Sequence, residues 1–148
     1  HEEHLRAIES GIKRPSIRLS EYDEAKGLPE GTACIIIDCF GLLSSVYRYG
    51  TWAYVGGGFG KSVHNTLEAA VYGIPVFFGP EIHKHREVRE LVRRESGFIL
   101  HDRAELSRLL QRFSSEEECK ALEARTRAYF REECGATAAI LGDILPSE

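Results

Sequence analysis

Apolar residues in this chain gather into short unbroken runs, and the stretches between them carry apolar positions at helical spacing. The run Ala33 to Asp38, with Ile35, Ile36 and Ile37, predicts a strand covered on both faces of its sheet. Further strands are predicted at Ile17 to Leu19, Trp52 to Val55, Ile74 to Phe78 and Phe98 to Leu100. Between them the pattern predicts an opening helix over HEEHLRAIES, a short helix from Leu42 to Tyr49, and one from Asn65 to Tyr72. A longer helix, Ile82 to Glu95, keeps Ile82, Val88, Leu91 and Val92 on one face. Strands alternating with helices at this pace predict an α/β fold, a Rossmann-like parallel sheet with helices on both faces.

The tail is helical. Asp102 is placed to cap a helix running to about Phe113, and Ser114 or Ser115 with Glu117 or Glu118 forms a capping box for a longer one. Gly135 is expected to interrupt it. The final stretch, Ala136 to Leu145, is small and apolar.

The segment VGGGFGKSVHNTLEAAVYGIPVFFGP, Val55 to Pro80, joins a predicted strand, a glycine-rich loop, a helix and a second strand. Such a loop lets backbone approach a ligand closely, and the helix after it aims unsatisfied N–H groups at an anion. Two known phosphate fingerprints fail on counting. GxGxxG from Gly56 requires glycine at Lys61, and from Gly58 at Val63; GxxxxGK[ST] ending at Gly60-Lys61-Ser62 requires glycine at Val55.

The remainder of the segment is more specific. HNTLEAAVYGIPVFFGP resembles the donor-domain motif of the 3-deoxy-D-manno-octulosonic acid (Kdo) transferases. Asp38-Cys39-Phe40-Gly41-Leu42-Leu43, Tyr47 and Ala53-Tyr54-Val55-Gly56-Gly57 occur in that family's order and spacing. So do His64-Asn65, Leu67-Glu68, Ala70, Gly73, Pro75-Val76 and Phe78-Gly79-Pro80; together the matches run from Ala33 to Leu100. Gly41-Leu42-Leu43 stands where many members carry Gly-Glu-Leu, so a donor contact from that glutamate is not carried over. The stretch from Gly58 to His64 is also shorter than in many relatives.

The resemblance implies the C-terminal half of a GT-B glycosyltransferase, binding CMP-Kdo. Length agrees: 148 residues suit one domain, and the chain has no methionine, so it is expected to be an excised C-terminal domain whose acceptor domain is absent. A net charge of −4 leaves no basic excess for nucleic acid. No apolar run approaches the roughly 20 residues that span a bilayer, so the fragment is expected to be soluble. Cys34, Cys39, Cys119 and Cys134 lack CxxC spacing and are expected to be inert thiols, with no metal site.

Donor contacts are expected from Gly41, Leu42, Gly57, Gly58, Lys61, Ser62, His64, Asn65, Thr66, Leu67 and Glu68. Glu68, about one turn into its helix, can accept hydrogen bonds from two ribose hydroxyls, the role that similar GT-B domains give this position; dipole stabilisation of its own helix is the bland alternative. Asn65 suits a helix cap as well as a ligand contact. Backbone N–H groups of Gly57 to Ser62 are placed to stabilise the phosphate as it leaves, and such a donor typically contributes about 3 kcal/mol to a barrier. Lys61 and His64 are open between a donor contact and, respectively, a solvated lysine and a structural hydrogen bond.

By the same resemblance the parent enzyme is an inverting, metal-independent transferase at the cytoplasmic face of the inner membrane. It would need no cofactor and would pass Kdo to the lipid A precursor, with its catalytic carboxylate base in the missing N-terminal domain and none here. His1 and His4 lie where the family has a histidine-bearing loop. His83 and His85, expected on a helix, would point about 200° apart and bind no common metal. Arg86, Arg89, Arg93 and Arg94, interleaved with Glu87, Glu90 and Glu95, are expected to form a solvated face. A GT-B donor domain for a UDP-sugar and a flavodoxin-like nucleotide-binding module remain open alternatives.

Overall fold

A computed structural model describes residues 2–135, so His1 and the apolar stretch Ala136 to Leu145 lie outside the described residues. The chain divides into two compact units, at 1–46 and 47–148, which are described separately.

In the first unit, helix α1 (Glu2–Gly11) is followed by strand β1 (Ser16–Arg18), a 3₁₀ turn, strand β2 (Cys34–Ile36) and the short helix α2 (Leu43–Val46). β1 and β2 pair in parallel with Ile17 opposite Ile35. Ile36 is buried but Ile35 is 46% exposed, so the apolar run is not covered on both faces as its composition suggests. Polar contacts fix this unit. The Arg18 guanidinium reaches Glu9 at 2.5 Å and Glu2 at 3.0 Å, tying α1 to β1, and holds the Glu9 carboxyl below its ordinary pKa. Asp38 accepts from the Ser20 hydroxyl at 2.5 Å and the Ser20 N–H at 3.0 Å, which likewise lowers its pKa. The motif's first residue thus braces the end of β2.

The second unit is built on strands β3 (Ala53–Tyr54), β4 (Val76–Phe78) and β5 (Gly97–Ile99), all parallel, in the order β3-β4-β5. Its helices are α3 (Leu67–Ala70), α4 (Arg86–Arg93), α5 (Arg103–Arg112) and α6 (Glu116–Glu133). Alternation along β4 makes two cores. Val76 and Phe78 pack with Ala69, Ala70, Val88, Leu91 and Tyr129, while Phe77 packs on the other side with Leu100, Phe113 and Leu122. α6 contributes Leu122 to one core and Tyr129 to the other. Helices therefore cover both faces of the central strand, which explains its continuous apolar run.

Caps act as the residue types dictate. Asp102 accepts the Glu105 N–H at 2.8 Å, and Ser115 rather than Ser114 caps α6, accepting from Glu118 at 3.5 Å. α6 ends at Glu133, just before Gly135.

Two helices are shorter than expected, and both corrections bear on function. The predicted Asn65 to Tyr72 helix has α-type bonds only from Ala70 N to Thr66 O and Val71 N to Leu67 O. Tyr72 and Gly73 then bond three residues back, and Gly73, at φ +72°, ends the turn. The predicted Ile82 to Glu95 helix starts at Arg86, because His85 is extended (φ −116°, ψ 103°) after a turn from Ile82. Ile82 is still buried. The arginine face is not simply solvated: Arg94 pairs with Glu132 at 2.5 Å and Arg86 with Glu133 at 3.5 Å, both across to α6.

Candidate functional site

The loops leaving β3 and β4 meet at the carboxyl ends of the sheet, where open parallel sheets bind ligands. Gly58, at φ +80°, lies so close to Gly79 that a Cβ on it would stand 2.8 Å from the Gly79 backbone. The Glu81 N–H donates to Gly58 O at 2.9 Å, and the Gly58 N–H donates to Lys61 O at 2.6 Å. Gly57, at φ +87°, is similarly closed in by the backbone of Ser62 and Val63. The glycines are thus required by a closely packed loop pair, whatever the ligand.

His64 returns the chain to the end of β3, its N–H donating to Gly56 O at 3.1 Å. Asn65 follows, exposed, and works in two directions. Its Oδ1 accepts the Leu67 N–H at 3.1 Å, and its Nδ2 donates to Glu68 Oε1 at 2.9 Å. An Asx turn ahead of α3, whose N-cap position is Thr66, and the anchor of Glu68 are therefore one side chain. Glu68 is half-buried and sits at the second position of α3, not a full turn inside. With its second oxygen uncommitted to any other described side chain, it can accept from vicinal hydroxyls. Tyr47 packs against the same core, and burial, then the Glu68 charge, raises its pKa above the ordinary value, keeping a neutral phenol near that carboxylate.

The remaining expected residues divide by exposure. Lys61 and Ser62 are exposed at the rim of the loop, whereas Leu67 is half-buried against the core. Thr66 is 1% exposed with its Oγ1 unpaired, so its side chain faces the interior. Gly41, at φ +86°, and Leu42 are exposed in the first unit, beside a fully displayed Phe40. A four-residue α3 sums too few peptide dipoles for the helix-end anion site that the sequence suggests. The anion donors at this edge are then loop N–H groups and side chains, not a helix end.

One feature escapes the sequence. Ser62 Oγ lies 2.5 Å from His85 Nε2, and His85 Nδ1 lies 3.2 Å from Glu87 Oε1. The pairing spans 23 positions and depends on His85 lying before α4 instead of within it.

No protein-family model matches the chain. It is similar to the 3-deoxy-D-manno-octulosonic acid transferase of Aquifex aeolicus, 32% identical over 126 residues, covering 83% of this chain and 34% of that protein. The enzyme of the same name from Chlamydia muridarum is 26% identical across 99% of this chain and 33% of its own length. The chain thus spans about a third of the curated relatives it matches. Its fold is that of the C-terminal CMP-Kdo binding domain of WaaA from Acinetobacter baumannii, with a TM-score of 0.71 at 21% identity, over 85% of this chain and 66% of that one. Over the third of their length that it shares with them, the chain is a homologue of the 3-deoxy-D-manno-octulosonic acid transferases.

Proposed function

We propose that this chain is the donor-binding part of a Kdo transferase that moves Kdo from CMP-Kdo to the lipid A precursor. The observation that carries the reading is the half-buried Glu68 carboxylate, anchored by Asn65 beside a glycine loop at the carboxyl ends of parallel strands. The relatives' name supplies the reaction and the solved domain's name the donor.

On this reading Glu68 accepts from the two ribose hydroxyls of the cytidine nucleotide. The backbone N–H groups of the Gly57 to Ser62 loop, with Lys61, face the phosphate. An acceptor hydroxyl attacks the anomeric carbon as its bond to the phosphate oxygen breaks, the electron pair leaving with CMP, and the configuration inverts. Charge accumulates on the departing phosphate, so donors already in place lower the barrier without rearranging. The attacking hydroxyl's proton goes to a carboxylate in a separate acceptor domain, and the chemistry needs no cofactor or metal. Among the described residues no helix is long and apolar enough to cross a membrane. We place the parent enzyme at the cytoplasmic face of the inner membrane, where such an acceptor would be met.

Calorimetric titration with CMP and UMP side by side tests the reading. Tighter binding of CMP is expected; preference for UMP would move the assignment to a UDP-sugar enzyme, and no binding of either would remove the donor site.

A further inference from the structure

The loops leaving β3 and β4 enclose a pocket of about 260 Å³ walled by Gly60, Lys61, Ser62, Glu81, His83 and Lys84. Its charges are mixed: ammonium groups come from both loops, and the Glu81 carboxylate lies between them in sequence. The Glu81 main chain is held at this wall by its N–H bond to Gly58 O.

The Ser62 side chain is held by His85. The Glu87 carboxylate only accepts, so His85 Nδ1 carries the proton directed at it, and in the neutral ring Nε2 accepts the proton of Ser62. The Ser62 oxygen then offers lone pairs to the pocket. That suits a hydroxyl donor and disfavours an anion. Two ammonium groups beside a carboxylate and a hydroxyl acceptor fit a polyhydroxy acid better than a bare phosphate, which would meet both the Glu81 charge and the Ser62 lone pairs.

We propose that this pocket is the sugar-acid subsite of the donor: Lys84 and Lys61 meet the carboxylate of a 2-keto sugar acid, and Ser62 and Glu81 accept its hydroxyls. The inference rests on the donor reading above. In such a donor the carboxylate and the leaving phosphate are bonded to the same anomeric carbon, so their subsites must adjoin. Lys61, on the glycine loop itself, is shared between them. His85 and Glu87 are positioning residues that act through Ser62.

Ligand-observed NMR on the chain, with freshly prepared CMP-Kdo, CMP and competing inorganic phosphate, tests this on the wild type, Lys84→Gln and Glu68→Ala. A hydrogen-bonded charge predicts that CMP-Kdo binds the wild type roughly tenfold or more tighter than CMP. Lys84→Gln should remove most of that margin and leave CMP binding and thermal melting unchanged, since Lys84 is exposed. Phosphate should not compete for the margin. The proposal is overturned if CMP-Kdo is no tighter than CMP on the wild type. It is equally overturned if Lys84→Gln weakens both ligands alike, or if phosphate displaces the sugar acid, either of which makes the pocket a phosphate subsite. CMP binding that still depends on Glu68 would then leave the donor reading standing, whereas no CMP binding at all would remove both.

Discussion

The Asn65 carboxamide closes a turn onto the Leu67 N–H with its oxygen and holds the Glu68 carboxylate 2.9 Å from its nitrogen. One side chain thereby sets both the turn that leads into α3 and the aim of the Glu68 carboxylate. Asn65→Asp separates the two roles, because it keeps the acceptor for the Leu67 N–H and replaces the donor to Glu68 with a like charge. Melting should change little while CMP affinity falls several-fold. Asn65→Ala should lose affinity and also about 1 kcal/mol of stability, the usual net value of a hydrogen bond. Equal affinity in Asn65→Asp and wild type would show that Glu68 needs no anchor.

Gly58 and Gly79 make the second contact on which the site depends. Gly58→Ala places a methyl against the Gly79 backbone and asks an L-residue to hold φ +80°. The two loops must part, so nucleotide affinity is expected to drop by more than tenfold while the cores below remain. Titration with CMP and the near-ultraviolet circular dichroism of the same sample read the two effects separately. Wild-type affinity in this variant would show that the loops tolerate separation.

Stability is expected to centre on Phe77, which is fully buried with ring centroids 6.0 Å from Trp52, 6.1 Å from Phe98 and 6.4 Å from Phe113. Phe77→Ala should cost about 3–5 kcal/mol, the range for emptying an aromatic site in a core. Trp52 is the sole tryptophan, so its fluorescence during urea unfolding reports the transition directly. A midpoint unchanged from wild type would contradict the two-core description.

Glu132 provides a pH-dependent test. Its hydrogen bond to Arg94 holds its carboxyl below the ordinary 4.5, so the folded state binds the proton less readily than the unfolded chain. The resulting stabilisation is complete above pH 4.5 and is lost as pH falls through the folded value. Glu132→Gln should therefore melt slightly below wild type at neutral pH, a small difference because the pair is exposed, and the gap should close in acid. A gap that persists at low pH would assign the effect to packing.

Much of this was legible in the residues. The continuous run around Val76 to Phe78 is apolar at every position because helices cover both faces, and Asp102 caps by the chemistry that makes aspartate a cap. The motif order singles out Asn65, Glu68 and the loop glycines, which lie along the loop leaving β3 and into α3. What escaped depends on contacts distant in sequence. Ile35 is as apolar as Ile36, yet only the latter is buried, since periodicity cannot report how many strands flank it. The Asn65 to Tyr72 segment has helical composition, but Gly73 and an Asn65 turn leave room for little more than one turn. The sequence pattern puts His85 within a helix, and only the extended backbone before α4 turns it towards Ser62.

The donor role proposed for this chain requires that the Glu68 carboxylate bind the ribose of a cytidine nucleotide. Calorimetric titration of CMP into wild type and Glu68→Ala, with melting curves confirming that both are folded, addresses it most directly. Loss of hydrogen bonds to a charged acceptor predicts a fall of roughly tenfold to a hundredfold in affinity. Equal CMP affinity in the two proteins would contradict the account.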